Sequence, residues 1–152
     1  MRKFESVNRQ LFLPANCQLT TAPCPLPPAN CQLIPMSGFE DLDVWKRAVE
    51  LSVSIYRKSR EIKDYGFRDQ ITRAGLSIPS NIAEGLERST SPDQIKFLDY
   101  ARASCGEVRT QTIVGQRVGF IDESTADAWV QETRQLSAMI QGLIRSIRSR
   151  SN

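Results

Sequence analysis

Three carboxylates, Glu84, Glu87 and Glu107, are the residues whose type could hold Mg²⁺, because this ion prefers oxygen ligands. Isolated carboxylates on helices are more often solvated or ion-paired, so we predict no metal site. The chain contains no histidine, which excludes di-iron bundles with Glu-x-x-His ligands and removes the usual base of serine and cysteine hydrolases. No glycine-rich phosphate-binding loop joins a strand to a helix. The sequence therefore predicts a protein that has no catalytic residues and no cofactor and is not an enzyme.

Cysteine is the other residue type that could do chemistry here. The four cysteines are Cys17, Cys24, Cys31 and Cys105. The first three recur every seven residues in a proline-rich segment that repeats the hexapeptide Pro-Ala-Asn-Cys-Gln-Leu at 14–19 and 28–33. Zinc sites need paired thiolates at short spacing, so a repeat without function is favoured over a metal or redox site. Cys105 stands among apolar helix positions and is expected to pack as a small hydrophobic side chain.

The proline-rich segment also sets the domain organisation. Its prolines remove backbone donors, so neither a helix nor a central strand can run through it. We predict a disordered tail over residues 1–37 and one folded domain over residues 38–152. A sharper hypothesis is that translation begins at Met36 and that the residues before it are a misannotated extension.

Composition and charge are typical of a soluble protein. The apolar share is 40% and the charged share 24%, and charges interrupt every apolar stretch before it reaches the roughly 20 residues of a membrane span. The N-terminus lacks the apolar region of a secretory signal, so we expect a cytoplasmic, reducing location. After position 35 the chain holds 17 basic and 16 acidic residues, a balance of +1. That balance alone does not indicate a nucleic-acid partner.

Apolar residues recur with helical periodicity from Gly38 onward and predict four helices. Helix one is predicted over about 41–62, helix two over about 67–88, helix three from Ser91 to Gly119, and helix four from Asp122 or Ser124 to the C-terminus. The loops are only about three to five residues long, so successive helices must be antiparallel neighbours. The predicted fold is an all-α, antiparallel up-down-up-down four-helix bundle.

Two local signals refine this bundle. Ser91 is the expected N-cap of helix three, with Gln94 completing a capping box. Pro79 lies inside helix two and deletes the hydrogen bond to the carbonyl of Gly75, so a kink is predicted near 75–79. Ser77 and Ser80 are available to satisfy the freed backbone groups.

Three motifs carry a family resemblance. They are Phe39-Glu40-Asp41-Leu42-Asp43-Val44-Trp45, Gln70-Ile71-Thr72-Arg73-Ala74, and Ser80-Asn81-Ile82-Ala83-Glu84-Gly85 followed by Arg88-Ser89. Over about residues 38–150 the chain resembles the four-helix-bundle family of 23S rRNA intervening-sequence proteins, which includes the accessory variability determinants of diversity-generating retroelements. The Asn-Ile-Ala-Glu-Gly run after Gln-Ile-x-Arg-Ala is a fairly specific signature.

The resemblance implies a protomer that assembles into a pentameric ring, with no catalytic residues known for the family as a whole. For the retroelement branch it also implies a basic ring that binds nucleic acid and a partner reverse transcriptase. The charge balance of +1 departs from that strongly basic branch, so the intervening-sequence branch is the closer fit. The expected partners are other copies of the chain in a homopentamer, RNA or DNA, and a reverse transcriptase.

A polar stripe on helix two supplies interface candidates. Its residues recur at steps of four, four, three and four, and the plain interpretation is a solvated face. Asn81, however, is a poor choice for an exposed helix interior. The family-signature or oligomer-interface candidates are Arg73, Asn81, Glu84 and Gly85.

Arginines on helices three and four supply candidates for nucleic-acid contact. They are Arg102, Arg109, Arg117, Arg134, Arg145 and Arg148. Positive charge concentrated on one surface can bind phosphates even when the net charge is small. Basic residues near a helix C-terminus also favour the helix dipole, which is the alternative explanation for the arginines at 145–150.

Two functions remain open at this stage. One is an oligomeric scaffold that binds RNA or DNA, and the other is an oligomeric protein–protein interaction module, such as a reverse-transcriptase accessory protein, without independent nucleic-acid binding. Salt-dependent binding to structured RNA discriminates between them, since affinity for phosphates falls steeply with salt.

Overall fold

A computed structural model describes residues 38–150 of the chain. Within this range a short 3₁₀ helix precedes four α-helices, and no strand occurs. The elements are the 3₁₀ helix Phe39–Asp41, α1 (Asp43–Ser59), α2 (Tyr65–Glu87), α3 (Ser91–Arg117) and α4 (Glu123–Arg150). The predicted tail over 1–37 and the hypothetical start at Met36 lie outside the described residues.

The four helices pack in chain order. Each helix contacts the next one along the chain, and α1 also contacts α4. This arrangement confirms the predicted antiparallel up-down-up-down bundle. It also gives the bundle four outer faces, each made of two adjacent helices, which we call the α1/α2, α2/α3, α3/α4 and α1/α4 faces.

Apolar residues that recur at helical spacing on the four helices form the core. Side chains at its centre with no solvent exposure include Ile55, Ile71, Ile78, Ile82, Leu98, Val108, Leu136 and Ile140. Each buried Val, Leu or Ile contributes about 1.5–3 kcal/mol relative to exposure. Ile62 belongs to the same core cluster although α1 ends at Ser59. No helix of residues 38–150 combines the length and apolarity needed to cross a membrane.

The predicted N-cap of the third helix is wrong by one residue. Thr90 is the N-cap, and its Oγ1 accepts a hydrogen bond from the Asp93 amide at 3.4 Å and donates to Asp93 Oδ2 at 2.6 Å. Asp93 therefore stands at the N3 position predicted for Gln94, but its carboxylate accepts from the hydroxyl of Thr90 and not from its backbone amide. Gln94 instead donates to the carbonyl of Arg88 at 2.9 Å. Ser91 is the first residue of α3.

The connection between α3 and α4 contradicts one prediction, for Gly119, and identifies the N-cap of α4. The spacing of small and apolar residues in helix three predicts Gly119 to face inward, but Gly119 is exposed and has a φ of 80°, the left-handed conformation that favours glycine after a helix. Asp122, not Ser124, caps α4, because Asp122 Oδ1 accepts the amide of Thr125 at 2.9 Å. Ser124 donates its hydroxyl to the same carboxylate at 2.7 Å.

Helix α2 continues through Pro79 without interruption. The proline nitrogen cannot donate to the carbonyl of Gly75, which would lose its partner inside the bundle. Ser52 of α1 donates its hydroxyl to this carbonyl at 2.6 Å. The missing hydrogen bond is therefore supplied by the neighbouring helix, and the kink near 75–79 stays a prediction.

The two serines predicted to repair the backbone have other partners. Ser80 bonds the carbonyl of Leu76 at 2.9 Å. Ser77 shares a hydrogen bond of 2.9 Å with Ser104 of α3. The prediction that these serines satisfy the backbone group freed by Pro79 is wrong, because the Gly75 carbonyl accepts its hydrogen bond from Ser52 of α1.

Candidate functional site

The α3/α4 face brings together arginines that are distant in the sequence. Arg102 of α3 donates a hydrogen bond to Gln141 of α4, which places these two residues at the same level of the bundle. Seven residues make two turns, and the helices are antiparallel, so moving seven residues along each places Arg109 at the level of Arg134. Arginines predicted from two separate segments therefore lie at one level of the α3/α4 face.

Two further candidates extend this row along α4. Arg145 and Arg148 follow Gln141 at steps of four and seven, the spacing of one helix face, and both are exposed. Arg117 lies in the last turn of α3, at the opposite end of the bundle. At 1.5 Å per residue the six candidates span about 33 Å, comparable to one turn of a DNA duplex.

The arginine row is mostly free to take an external anion. Arg102 forms an ion pair with Asp99 at 3.0 Å. Within residues 38–150 the other five candidates make no hydrogen bond or ion pair with a carboxylate. Phosphate groups can therefore approach them without breaking an internal pair.

The α2/α3 face holds the polar stripe of helix two. Asn81 Nδ2 donates to both the carbonyl and the hydroxyl of Ser77 at 2.8 Å, and Ser77 bonds Ser104 across the face. Glu84 pairs with Arg88 one turn later. The half-buried Asn81 is therefore satisfied within its own protomer, which explains an asparagine inside a helix.

Arg73 and Gly85 have different surroundings on this face. Arg73 is exposed and lines an open cavity of about 430 Å³ together with Ser77 and Glu107. Gly85 is buried, and a β-carbon there would lie 3.1 Å from the carbonyl oxygen of Gln94 and 3.2 Å from Cβ of Phe97. Gly85 thus permits the close approach of α2 to α3, whereas the interface role of the whole candidate set stays a prediction.

Apolar side chains surround the polar stripe. Tyr100, Val114 and Val118 of α3 are 48%, 47% and 55% exposed. Gln111 lies seven residues after Ser104 and so faces the same side of α3, and its Oε1 is buried without a hydrogen-bond partner in the described part of the chain. An unpaired buried acceptor costs about 1–3 kcal/mol. The α2/α3 face therefore combines exposed apolar area, mixed charges and an unsatisfied acceptor.

The α1/α4 face is closed by side-chain pairs. Arg47 binds Glu132 at 2.6 Å, Trp129 Nε1 donates to Ser54 at 3.0 Å, and Lys58 pairs with Asp122 at 3.2 Å. The hydrogen bond to Glu132 raises the pKa of Arg47. Hydrogen bonds, first from the Thr125 amide, hold the pKa of Asp122 well below its ordinary value. These polar groups of the α1/α4 face are thus paired with each other.

Cys105 lies in the core, as predicted. It has no solvent exposure, and burial raises the pKa of its thiol to about 11, against smaller opposing effects from Ser137 and Arg109. The thiol therefore stays protonated at neutral pH and is a poor nucleophile. Among residues 38–150 no group of three His, Cys, Asp or Glu side chains could hold a metal ion.

An apolar groove on the α1/α2 face was not predicted. Its apolar lining consists of Val49, Val53, Tyr56, Leu76 and Pro79, around a cavity of about 300 Å³. The first three residues recur at steps of four and three, so α1 carries a second apolar stripe beside its core stripe. The spacing of these three residues was the sequence signal for the groove, but the more regular spacing of the core residues on the same helix obscured it.

Comparisons with known proteins agree with this architecture. A family model described as 23S rRNA-intervening sequence protein matches residues 40–142. One solved structure that the chain resembles is described as a protein of unknown function from the S23 ribosomal protein family of Bacteroides thetaiotaomicron, with a TM-score of 0.63 and 23% identity. The likeness covers 66% of this chain and 97% of that one. At this identity it supports the fold alone. No curated protein matches the sequence.

Proposed function

Since the chain belongs to the family of 23S rRNA-intervening sequence proteins, we propose that it is a non-enzymatic, homo-oligomeric scaffold that binds RNA through the α3/α4 face. The observation that carries the proposal is the arginine row, in which Arg109 and Arg134 lie at one level and Arg145 and Arg148 continue along α4. The net charge of the domain is small, but these positive charges are gathered on one face, which is the arrangement that phosphate binding requires.

The RNA proposal predicts a face-specific loss of affinity. Replacing Arg109 and Arg134 by glutamate is expected to weaken binding of a fluorescein-labelled RNA hairpin by about tenfold or more, because two phosphate contacts become repulsive. The slope of log affinity against log salt should fall by about one for each arginine lost. Fluorescence anisotropy between 50 and 200 mM salt measures both quantities.

A control with the same change in net charge separates a binding face from general electrostatics. Arg57→Glu together with Arg60→Glu alters α1, on another side of the bundle, and should leave the affinity within about twofold. Equal losses for both double variants would show that only net charge matters. If the unaltered protein fails to bind the hairpin at 50 mM salt, the protein–protein interaction module becomes the better explanation of the fold.

Self-association is assigned to the α2/α3 face. Arg73 and Glu84 provide charges of both signs there, and Val114 and Val118 provide exposed apolar area, so the face can pack against a different face of a neighbouring copy, as the interface of a ring requires. The buried Gln111 acceptor could take a donor from that copy. The family resemblance implies a pentamer, which for a chain of 17.1 kDa corresponds to about 85 kDa.

Light scattering tests this assignment. Val114→Glu combined with Val118→Glu should reduce the measured mass toward 17.1 kDa, because two exposed apolar side chains become charged in every copy. Tyr56→Glu combined with Leu76→Glu, at similarly exposed positions on the α1/α2 face, should leave the mass unchanged. A monomeric unaltered protein, or an unchanged mass in the first variant, would contradict the assignment.

A further inference from the structure

The α1/α2 face presents an apolar surface that no part of the described chain covers. Tyr56 is 46% and Leu76 49% exposed, although both are large apolar side chains. They flank the groove floored by Val49, Val53 and Pro79. Contiguous exposed apolar area that is framed by polar residues is typical of an interaction site.

The shape of the groove favours an elongated ligand. It follows α1 from Val49 to Arg60, which is about 16 Å at 1.5 Å per residue. A groove between two antiparallel helices accepts a third helix, whose apolar side chains at i, i+3 or i+4, and i+7 fill the space between them. Three helical turns of a partner match this length.

Charge decides which helix fits. Arg57 and Arg60 line the groove at its end, and neither forms an ion pair within residues 38–150. Arg47, on the opposite side of α1, is by contrast committed to Glu132. Two uncommitted guanidinium groups beside an apolar floor favour a partner with carboxylates next to its apolar face.

Two apolar candidates within the chain carry the wrong charge for this groove. Val114 and Val118, an exposed aliphatic pair spaced like a helix face, flank Arg117 and would bring a like charge to Arg57 and Arg60. The N-terminal residues 1–35 hold three basic residues and one acid. Neither this aliphatic pair of a second copy nor the N-terminal segment therefore complements the charge of the groove.

We propose that the α1/α2 groove is a docking site for an amphipathic helix of a different protein, with apolar side chains on one face and acidic side chains beside them. This site is separate from the RNA-binding and self-association faces, so the docking proposal can be tested independently of the function proposed above. It makes the protein an adaptor that joins a helical partner to the scaffold.

Two designed peptides provide the probes. The acidic peptide is a fluorescein-labelled 14-residue helix with leucines at i, i+4 and i+7 and glutamates flanking them; the basic peptide has lysine at each glutamate position. Anisotropy with the full chain should show at least tenfold tighter binding of the acidic peptide. Arg57→Glu combined with Arg60→Glu should reverse this preference, which a purely apolar surface would not do.

Variants of the floor and of another face complete the test. Tyr56→Glu combined with Leu76→Glu should lower the affinity for the acidic peptide at least tenfold. Val114→Glu combined with Val118→Glu should leave that affinity unchanged. Helix content by circular dichroism shows that each variant is folded. Equal binding of both peptides, or no binding of the acidic one at 100 µM protein, would overturn the proposal. A fall in oligomer mass caused only by the groove variant would assign the groove to a second copy.

Discussion

Replacing Leu98 by alanine is expected to lower the free energy of unfolding by about 2–5 kcal/mol, the largest single effect anticipated for this chain. Leu98 of α3 has no solvent exposure, and a β-carbon at Gly85 would lie 3.5 Å from its Cγ. The two helices already approach closely at Gly85, so they cannot close further to fill the cavity left by the lost methyl groups. Urea unfolding followed by circular dichroism measures the change.

Leu76→Ala is the matched control for this prediction. It makes the same chemical change in an α-helix of the same bundle, but the side chain is 49% exposed. Its cost should stay below about 1 kcal/mol, because little buried volume is removed. Similar losses for the two variants would mean that burial in the α2–α3 contact does not set the stability.

The four helices could be predicted because their signal is local and redundant. Core residues such as Ile55, Ile82 and Leu136 repeat at helical spacing over many turns, so one ambiguous position does not alter the prediction. The cap of α3 was a different case. Thr90 and Ser91 are both good capping residues, and only the extended backbone conformation of Thr90 decides between them.

The candidate site depended on information that spacing within one helix cannot contain. Arg109 and Arg134 were chosen separately from two segments, and their common level follows from the hydrogen bond that places Arg102 and Gln141 at one level. The α1/α2 groove needs Leu76 of α2 beside Val53 of α1. Such pairings depend on how two helices slide and rotate against each other, which a single sequence does not specify.

The repair of the backbone at Pro79 is the clearest non-local feature. A proline inside a helix costs about 3 kcal/mol when the freed carbonyl finds no partner. Ser52 is 23 residues away in the sequence from Gly75, whose carbonyl it bonds, and lies on another helix. The presence of Ser77 and Ser80 beside the proline suggested a local solution, but Ser80 bonds the carbonyl of Leu76 and Ser77 bonds the hydroxyl of Ser104.

Ser52→Ala is therefore expected to destabilise the fold by about 1–3 kcal/mol, because the carbonyl of Gly75 stays buried without a donor. In a Pro79→Ala background the backbone amide at position 79 can donate to that carbonyl, and the same Ser52→Ala change should cost less than about 1 kcal/mol. Urea unfolding of the four proteins in this cycle gives a coupling free energy of about 1–2 kcal/mol.

Ser59→Ala supplies the comparison that isolates the role of the proline. Ser59 is also buried on α1, but its hydroxyl bonds the carbonyl of Ile55 in its own helix, so no orphan carbonyl depends on it. Its cost should be smaller than that of Ser52→Ala and independent of the residue at 79. An equal cost of Ser52→Ala in the proline and alanine backgrounds would show that Gly75 does not rely on Ser52. A coupling free energy near zero between the two substitutions would mean that α2 accommodates Pro79 by bending, which is the other way in which a helix accommodates an internal proline.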